Sequence, residues 1–363
     1  MSNESRITRK LGDTDLKVTP IGLGVMQFSG NAGVFRFMFE DIQQSRMDEI
    51  ILAALEGGIN WFDTAEAYGR GRSERGLSRA LQHAGADDRD VLVATKWMPV
   101  LRTASNIPRT IGTRLENLTP YSIGLYYIHQ PWGFSPPEAE MDAMADLVQA
   151  GKIRAVGVSN FNAEQMRRAA AALEKRGLKL AANQMQYSLM HRSIETNGVL
   201  AAARELGVTI VAWGPLGSGL LTGKFHRDPR LLQNTPFVRR RRLRSKLEAT
   251  LPLIEVLERI AAHYDASPAQ VALNWLIHFQ GESVVAIPGA SKTQHAREAA
   301  EAMNLVPSRA LTNDSLILDG PLAALFPGPA IPAGEACDGQ VASRASESVL
   351  SEVMALENRT ILL

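Results

Sequence analysis

Asp63, Tyr68, Lys96 and His129 are residue types that move protons together, and each closes or follows an apolar run. The runs are Asn60-Trp61-Phe62-Asp63, Val91-Leu92-Val93-Ala94-Thr95-Lys96 and Leu125-Tyr126-Tyr127-Ile128-His129. A tyrosine, whose free pKa is about 10, can give its proton to an oxygen that is gaining negative charge. A lysine ammonium beside it favours the phenolate and lowers that value, and a carboxylate holds the ammonium charged. A neutral histidine that donates a hydrogen bond stabilises an oxyanion. Such a set suits protonation of the alkoxide left when a hydride reaches a carbonyl carbon. Each residue also has an ordinary reading. Asp63-Thr64 could cap a turn, His129 could be structural, and Lys96 could snorkel over Trp97. What favours the chemical reading is that all four fall beside predicted strand ends, where a barrel gathers groups at one mouth.

The elements that would position them alternate regularly. Strands are predicted near Ile21–Val25, Ile59–Phe62, Val91–Thr95, Ile123–Ile128, Ala155–Val158, Ala181–Met185, Thr209–Ala212 and Val284–Ile287. Between them the apolar period becomes helical. Met47, Ile50, Ile51 and Ala54 form one stripe, Ile107, Ile111, Leu115 and Leu118 another, and Met141, Met144, Leu147 and Val148 a third. Ser73 is expected to cap one helix and Pro268 to stand in the first turn of a later one. Eight such units predict an α/β fold of the (β/α)8 TIM barrel class. No Gly-x-Gly-x-x-Gly follows the first strand, so a doubly wound dinucleotide fold lacks its fingerprint. Ahead of the barrel, Arg9-Lys10-Leu11 and Leu16-Lys17-Val18 flank a turn-prone Gly12-Asp13-Thr14-Asp15, which predicts a hairpin.

Bulk properties exclude several functions. The 363 residues are 45% hydrophobic and 21% charged, and the formal net charge is +1. That balance gives no electrostatic case for nucleic acid or an anionic membrane. The single cysteine, Cys337, leaves no intrachain disulfide or Cys-rich metal site, and no metal is expected. No apolar run approaches the roughly 20 residues of a membrane span. The first residues lack the apolar region of a secretory signal, so a cytoplasmic location is expected. A single barrel domain is expected over 1–326, with an appended C-terminal extension over 327–363. That extension is rich in Pro, Gly and Ala to Gly339, then weakly helical over Ser346–Leu356. Phe225–Lys246, which contains the run Arg239–Arg242, is expected to be a loop over the barrel mouth.

The chain resembles the aldo-keto reductase superfamily. The resemblance is carried by Gly58-Ile59-Asn60-Trp61-Phe62-Asp63-Thr64-Ala65 with Tyr68-Gly69, Thr95-Lys96, and Tyr126-Tyr127-Ile128-His129-Gln130-Pro131. It continues through Ile153–Phe161, Asn183-Gln184, Trp213–Lys224 and Ile287–Lys292, over about residues 8 to 305 in the family's order. The branch it looks most like includes bacterial reductases and potassium-channel β subunits. By this resemblance Asp63, Tyr68, Lys96 and His129 are the catalytic set, with Tyr68 the general acid in reduction. Reduction of an activated C=C bond accompanies Glu at the His129 position in this superfamily, so His129 implies carbonyl chemistry.

The resemblance also implies a nicotinamide cofactor. Ser159, Asn160 and Gln184 match the residues that hold its carboxamide, and Trp213 the aromatic stacked on its ring. Leu216, Ser218 and Leu220 match a loop that meets the pyrophosphate through backbone N–H groups. Ser291 and Lys292 match the 2′-phosphate contacts, which implies NADPH in preference to NADH. His295 stands where the branch usually has Gln, Ala299 where it has Asn, and Gly124 where it has Asp. Arg297 could serve as a further phosphate ligand, and the arginine run could clamp the pyrophosphate. Met26, Trp97, Trp132 and Tyr187 are expected to wall an apolar cleft for a small-molecule aldehyde or ketone. The alternative is an NADPH-binding redox sensor resembling the channel β subunits. Substrate identity and oligomeric state, a homo-oligomer included, stay open.

Overall fold

In the computed structural model, which describes residues 7–30, 41–235 and 237–305, the turn chemistry around Gly12 gives the expected hairpin. Strands β1 (Arg9–Lys10) and β2 (Lys17–Val18) pair antiparallel, with Arg9 opposite Val18. Gly12 holds φ +56, and a Cβ there would lie 2.6 Å from the Ala181 carbonyl oxygen, so only glycine fits.

All eight predicted barrel strands are present: β3 (Leu23–Gly24), β4 (Trp61–Asp63), β5 (Leu92–Trp97), β6 (Ile123–Ile128), β7 (Ala155–Ser159), β8 (Leu180–Gln186), β9 (Thr209–Trp213) and β10 (Val284–Ile287). They run parallel in sequence order. Bridges from Ile21 to Ala286 and from Gly24 to Gly289 bring the first strand against the last. Every residue of β5 and of β6 is buried, which is why these strands read as continuous apolar runs and not as alternating ones. Helices α1 (Gln44–Glu56), α2 (Arg72–His83), α3 (Asn106–Leu118), α4 (Pro137–Gln149), α5 (Ala163–Glu174) and α6 (Val199–Glu205) follow strands β3 to β8 in turn. Most of each predicted stripe is an inner face, with Leu115 of α3 and Val148 of α4 only half-buried. Met47, Ile50, Ile51 and Ala54 are buried on α1, and Met141, Met144 and Leu147 on α4.

Leu11, Leu16 and Val18 of the hairpin pack with Trp61, Leu92, Ala155 and Ala181, residues at or near the starts of their strands. The hairpin thus closes the end of the barrel where strands begin and leaves the other end to the loops. Gly124 is explained here. A Cβ at 124 would meet Leu92 Cγ at 2.6 Å, so the Leu92 side chain fills the space that a larger residue would need.

The described residues divide into two compact units. One comprises 7–215 with 282–300 and holds the barrel strands; the other comprises 216–281 with 301–305. The second unit contains α7 (Lys224–Arg227), α8 (Phe237–Arg244), α9 (Leu247–His263) and α10 (Pro268–His278). The chain then returns through β10 to α11 (Thr293–Glu301). Two expectations are corrected. Phe225–Lys246 is not a loop: α7, a 3-10 turn over Pro229–Asn234 and α8 occupy most of it. Ser73 does not cap α2, whose N-cap is Gly71. Its hydroxyl instead accepts from Thr64 Oγ1 at 2.9 Å and donates to the Val25 carbonyl at 2.7 Å, tying the ends of β3 and β4 together. Pro268 does stand at the start of α10, behind a capping box of Ser267 and Gln270. The extension from 327 on, with Cys337, lies outside the described residues.

Candidate active site

Asp63 is the last residue of β4, Lys96 the penultimate residue of β5, and His129 follows the last residue of β6. Parallel pairing brings these strand ends level, since Asp63 pairs with Ala94 and Lys96 with Tyr127. Lys96 Nζ donates to Asp63 Oδ1, and to the Thr64 carbonyl at 2.8 Å. The same nitrogen lies 5.1 Å from the centre of the Tyr68 ring, and the Tyr68 and His129 rings meet edge to face at 5.7 Å. Lys96 and Asp63 are sealed at 0% and 2% exposure, whereas Tyr68 and His129 keep 7% and 8%. The ion pair therefore lies inside, and the two groups that could meet an incoming oxygen lie outside it.

Burial lifts the Asp63 carboxyl above its ordinary value, against the pull of Lys96 and of a hydrogen bond from Gln184. Burial works against the Lys96 ammonium, yet Asp63 and Tyr68 together raise it above an ordinary lysine. For Tyr68 the expectation from sequence is reversed. Burial raises the phenol above its ordinary value and outweighs the lowering by Lys96. His129 is pushed down to about 3, by burial first and by the Lys96 charge second. A neutral phenol beside a neutral imidazole makes two uncharged donors, and the buried ammonium is ready to support a phenolate once the proton has gone.

Ser159, Asn160, Gln184 and Trp213 form a connected polar row at the ends of β7, β8 and β9. Ser159 Oγ donates to the Gln184 carbonyl at 3.0 Å, Asn160 Nδ2 donates to Ser159 Oγ at 3.1 Å, and Trp213 Nε1 donates to Asn160 Oδ1 at 3.1 Å. Asn160 holds φ +61, a left-handed conformation that asparagine tolerates better than most residues. Gln184 Nε2 donates to Asp63 Oδ2 at 2.9 Å, which joins this row to the ion pair. The row offers donors and acceptors together, as a primary carboxamide requires.

The residues expected at phosphate groups are spread over both units. Ser291 is half-buried, Lys292 and Arg297 are exposed, and His295 Nδ1 accepts from the Ser291 N–H at 3.4 Å. Ala299 is buried on the inner side of α11. In the second unit, Ser218 and Gly219 interrupt the 3-10 run Gly217–Thr222 with φ of 59° and 93°. Left-handed backbone of this kind can turn successive N–H groups toward an anion. Arg239, the first of the arginine run on α8, donates to the Ser218 carbonyl at 3.0 Å.

The four expected cleft residues are not alike. Met26 is half-buried on a 3-10 turn (Met26–Ser29), and Trp132 is 63% exposed. Trp97 and Tyr187 are fully buried, with their polar atoms donating to Asn106 Oδ1 at 3.0 Å and Glu195 Oε1 at 2.6 Å. Sequence reasoning missed the buried ion chain of Glu66, Arg114 and Glu74 around the Tyr68 loop. One signal was available: Arg114 interrupts the apolar stripe of α3 between Ile111 and Leu118.

Comparison with known proteins shows the family to which the chain is similar. The model of the "Aldo/keto reductase family" matches residues 20–313. An oxidoreductase of Mycobacterium bovis is 37% identical over 281 residues, 77% of this chain and 82% of that protein. Aldo-keto reductase yakc [NADP(+)] of Schizosaccharomyces pombe is 30% identical, over 80% of this chain and 85% of its own. The crystal structure of the thermostable aldo-keto reductase Tm1743 with the inhibitor epalrestat superposes with a TM-score of 0.64 at 28% identity. It covers 84% of this chain and 97% of its own.

Proposed function

The chain belongs to the aldo/keto reductase family of oxidoreductases, and from that premise we propose that it reduces aldehydes or ketones to alcohols with NADPH, Tyr68 being the general acid. The observation that carries this reading is the sealed Asp63–Lys96 pair beneath the two neutral, slightly exposed donors Tyr68 and His129. Bound NADPH would supply the hydride that forms the new C–H bond at the carbonyl carbon. As the C=O electron pair moves to oxygen, His129 stabilises the growing charge by a hydrogen bond and Tyr68 gives that oxygen its proton. Lys96 stabilises the resulting phenolate, and Asp63 keeps Lys96 charged and in place. In the oxidative direction Tyr68 takes the proton back.

Ser159, Asn160 and Gln184 suit the carboxamide of the nicotinamide, and the half-buried Trp213 suits its ring face. NADPH is preferred to NADH because Ser291 and Lys292 stand at the positions that meet the 2′-phosphate in the family, and the relative from Schizosaccharomyces pombe carries NADP(+) in its name. Leu216, Ser218 and Leu220 suit a phosphate through their backbone. His295 is counted with this group through its contact to Ser291.

A panel of aldehydes and ketones, run with NADPH and NADH in parallel, tests the reading by loss of the near-ultraviolet absorbance of the reduced nicotinamide. Turnover is expected with NADPH, and Tyr68→Phe is expected to lower kcat by roughly 10²–10⁴-fold with cofactor affinity unchanged. No turnover on any carbonyl, with tight NADPH binding retained, would favour a cofactor-sensing role instead.

A further inference from the structure

The loop that carries Tyr68 is short and left-handed at its end. It runs from Asp63, the end of β4, to Arg72, the start of α2, and Gly69, Arg70 and Gly71 hold φ of 66°, 53° and 83°. Arg70 has no glycine's freedom to adopt that conformation, so the surrounding structure must impose it. Two carboxylates flank the tyrosine. Glu66 accepts from the Met98 N–H at 2.7 Å, from Arg102 Nη1 at 2.6 Å and from Arg114 Nη1 at 2.6 Å. Glu74, fully buried on α2, accepts from Thr95 Oγ1 at 2.7 Å, from Arg114 Nε at 2.8 Å and from Asn117 Nδ2 at 2.8 Å. One guanidinium, that of Arg114 on α3, therefore grips the chain on both sides of Tyr68.

We propose that Arg114, with Glu66 and Glu74, forms a clamp that sets the position of the Tyr68 hydroxyl over Lys96, and that these three are positioning residues for proton transfer. The inference rests on the reading of Tyr68 as the proton donor. Its geometry reaches both partners. Neighbouring residues on a strand face opposite sides, so Thr95, held by Glu74, orients β5 from outside while Lys96 faces inward. Glu66 fixes the other side of the loop and holds the Met98 backbone just beyond that strand. Burying paired charges is seldom a net gain in stability. A guanidinium that bonds one carboxylate through Nε and another through Nη1 does supply direction that a lysine cannot.

The test uses the full chain and three variants, Arg114→Lys, Glu74→Gln and Tyr68→Phe, with NADPH and a turned-over carbonyl. For the two clamp variants kcat is expected to fall about 10–100-fold, the scale of a displacement near 1 Å, while KM for NADPH stays within about twofold. The pH profile gives the second readout. The groups facing Tyr68 are Lys96 from β5, Asp63 from β4 and His129 after β6. Reduction needs the protonated phenol, so activity is lost as pH rises through its pKa. If Tyr68 moves from the Lys96 charge that pKa rises, and the basic limb of kcat moves to higher pH. A kcat within about twofold of the parent with an unmoved limb overturns the clamp, even if melting temperature drops. Failure of both clamp variants to fold also overturns it, by making the cluster a folding requirement. Full activity in Tyr68→Phe instead removes the underlying reading of the tyrosine, which separates the two failures.

Discussion

At the scale of single residues, the Asp63–Lys96 pair is fully enclosed, so neither charge has water to fall back on. Asp63→Asn leaves the ammonium buried and uncompensated, and is expected to cost about 3–5 kcal/mol in chemical denaturation. Lys96→Met should cost a similar amount, and the double variant less than the sum of the two, because it removes both charges together. His129 gives a pH signature. Its folded pKa of about 3 lies below the ordinary 6.5, so between those values the unfolded chain binds a proton that the native chain does not. Its contribution is full above 6.5 and is lost as pH falls toward 3. The kcat of the proposed reduction should accordingly show no histidine limb near 6.5, and a limb there would contradict a neutral His129. These residue types were legible in the sequence because each stands at a strand end or in the loop that follows one. The direction of the Tyr68 shift was not, since burial outweighs the neighbouring ammonium and burial is a property of the fold.

At the scale of elements, helix α4 carries an anomaly that can be measured. Glu140 is buried on its inner side, its Oε1 has no hydrogen-bond partner among the described residues, and burial pushes its carboxyl up to about 8. The folded state holds it neutral, whereas the unfolded chain ionises near 4.5. Its protonation favours the fold fully below 4.5, and the advantage is lost as pH rises through 8. Glu140→Gln removes that dependence, so it should raise Tm by roughly 2–4 °C above pH ~8 and by less near pH ~5. Thermal scans across that range decide it. Periodicity made α1, α3 and α4 legible because each has an apolar face to bury. It failed on α8, where four consecutive arginines leave no stripe, although arginine is a good helix former. It failed also on Ser73, whose hydroxyl serves the ends of β3 and β4 and not the helix it looked placed to cap.

At the scale of the barrel unit, the two ends of the strands do different work. Leu11, Leu16 and Val18 close the end where strands begin, and the groups proposed to move protons stand where strands finish or in the loop that follows β4. This division was readable in outline, because eight alternating units can gather strand-end residues at one mouth only when the strands run parallel. The fit of the hairpin was not readable, because it depends on contacts between residues far apart in sequence, such as Gly12 against the Ala181 carbonyl. The division makes stability and activity separable. Gly12→Ala forces a Cβ into two carbonyl oxygens at 2.6 and 2.8 Å from a backbone at φ +56. It should cost about 1–3 kcal/mol from strain alone while kcat/KM, measured well below the new Tm, stays within about twofold. Asp63→Asn should do the opposite to activity, abolishing most of kcat, because the lost charge lies among the groups proposed to react. If Gly12→Ala lowered kcat as far as stability, the strand-start end could not be only a plug. The hairpin would then have to act on Trp61, which packs against it and stands two residues before Asp63 on β4.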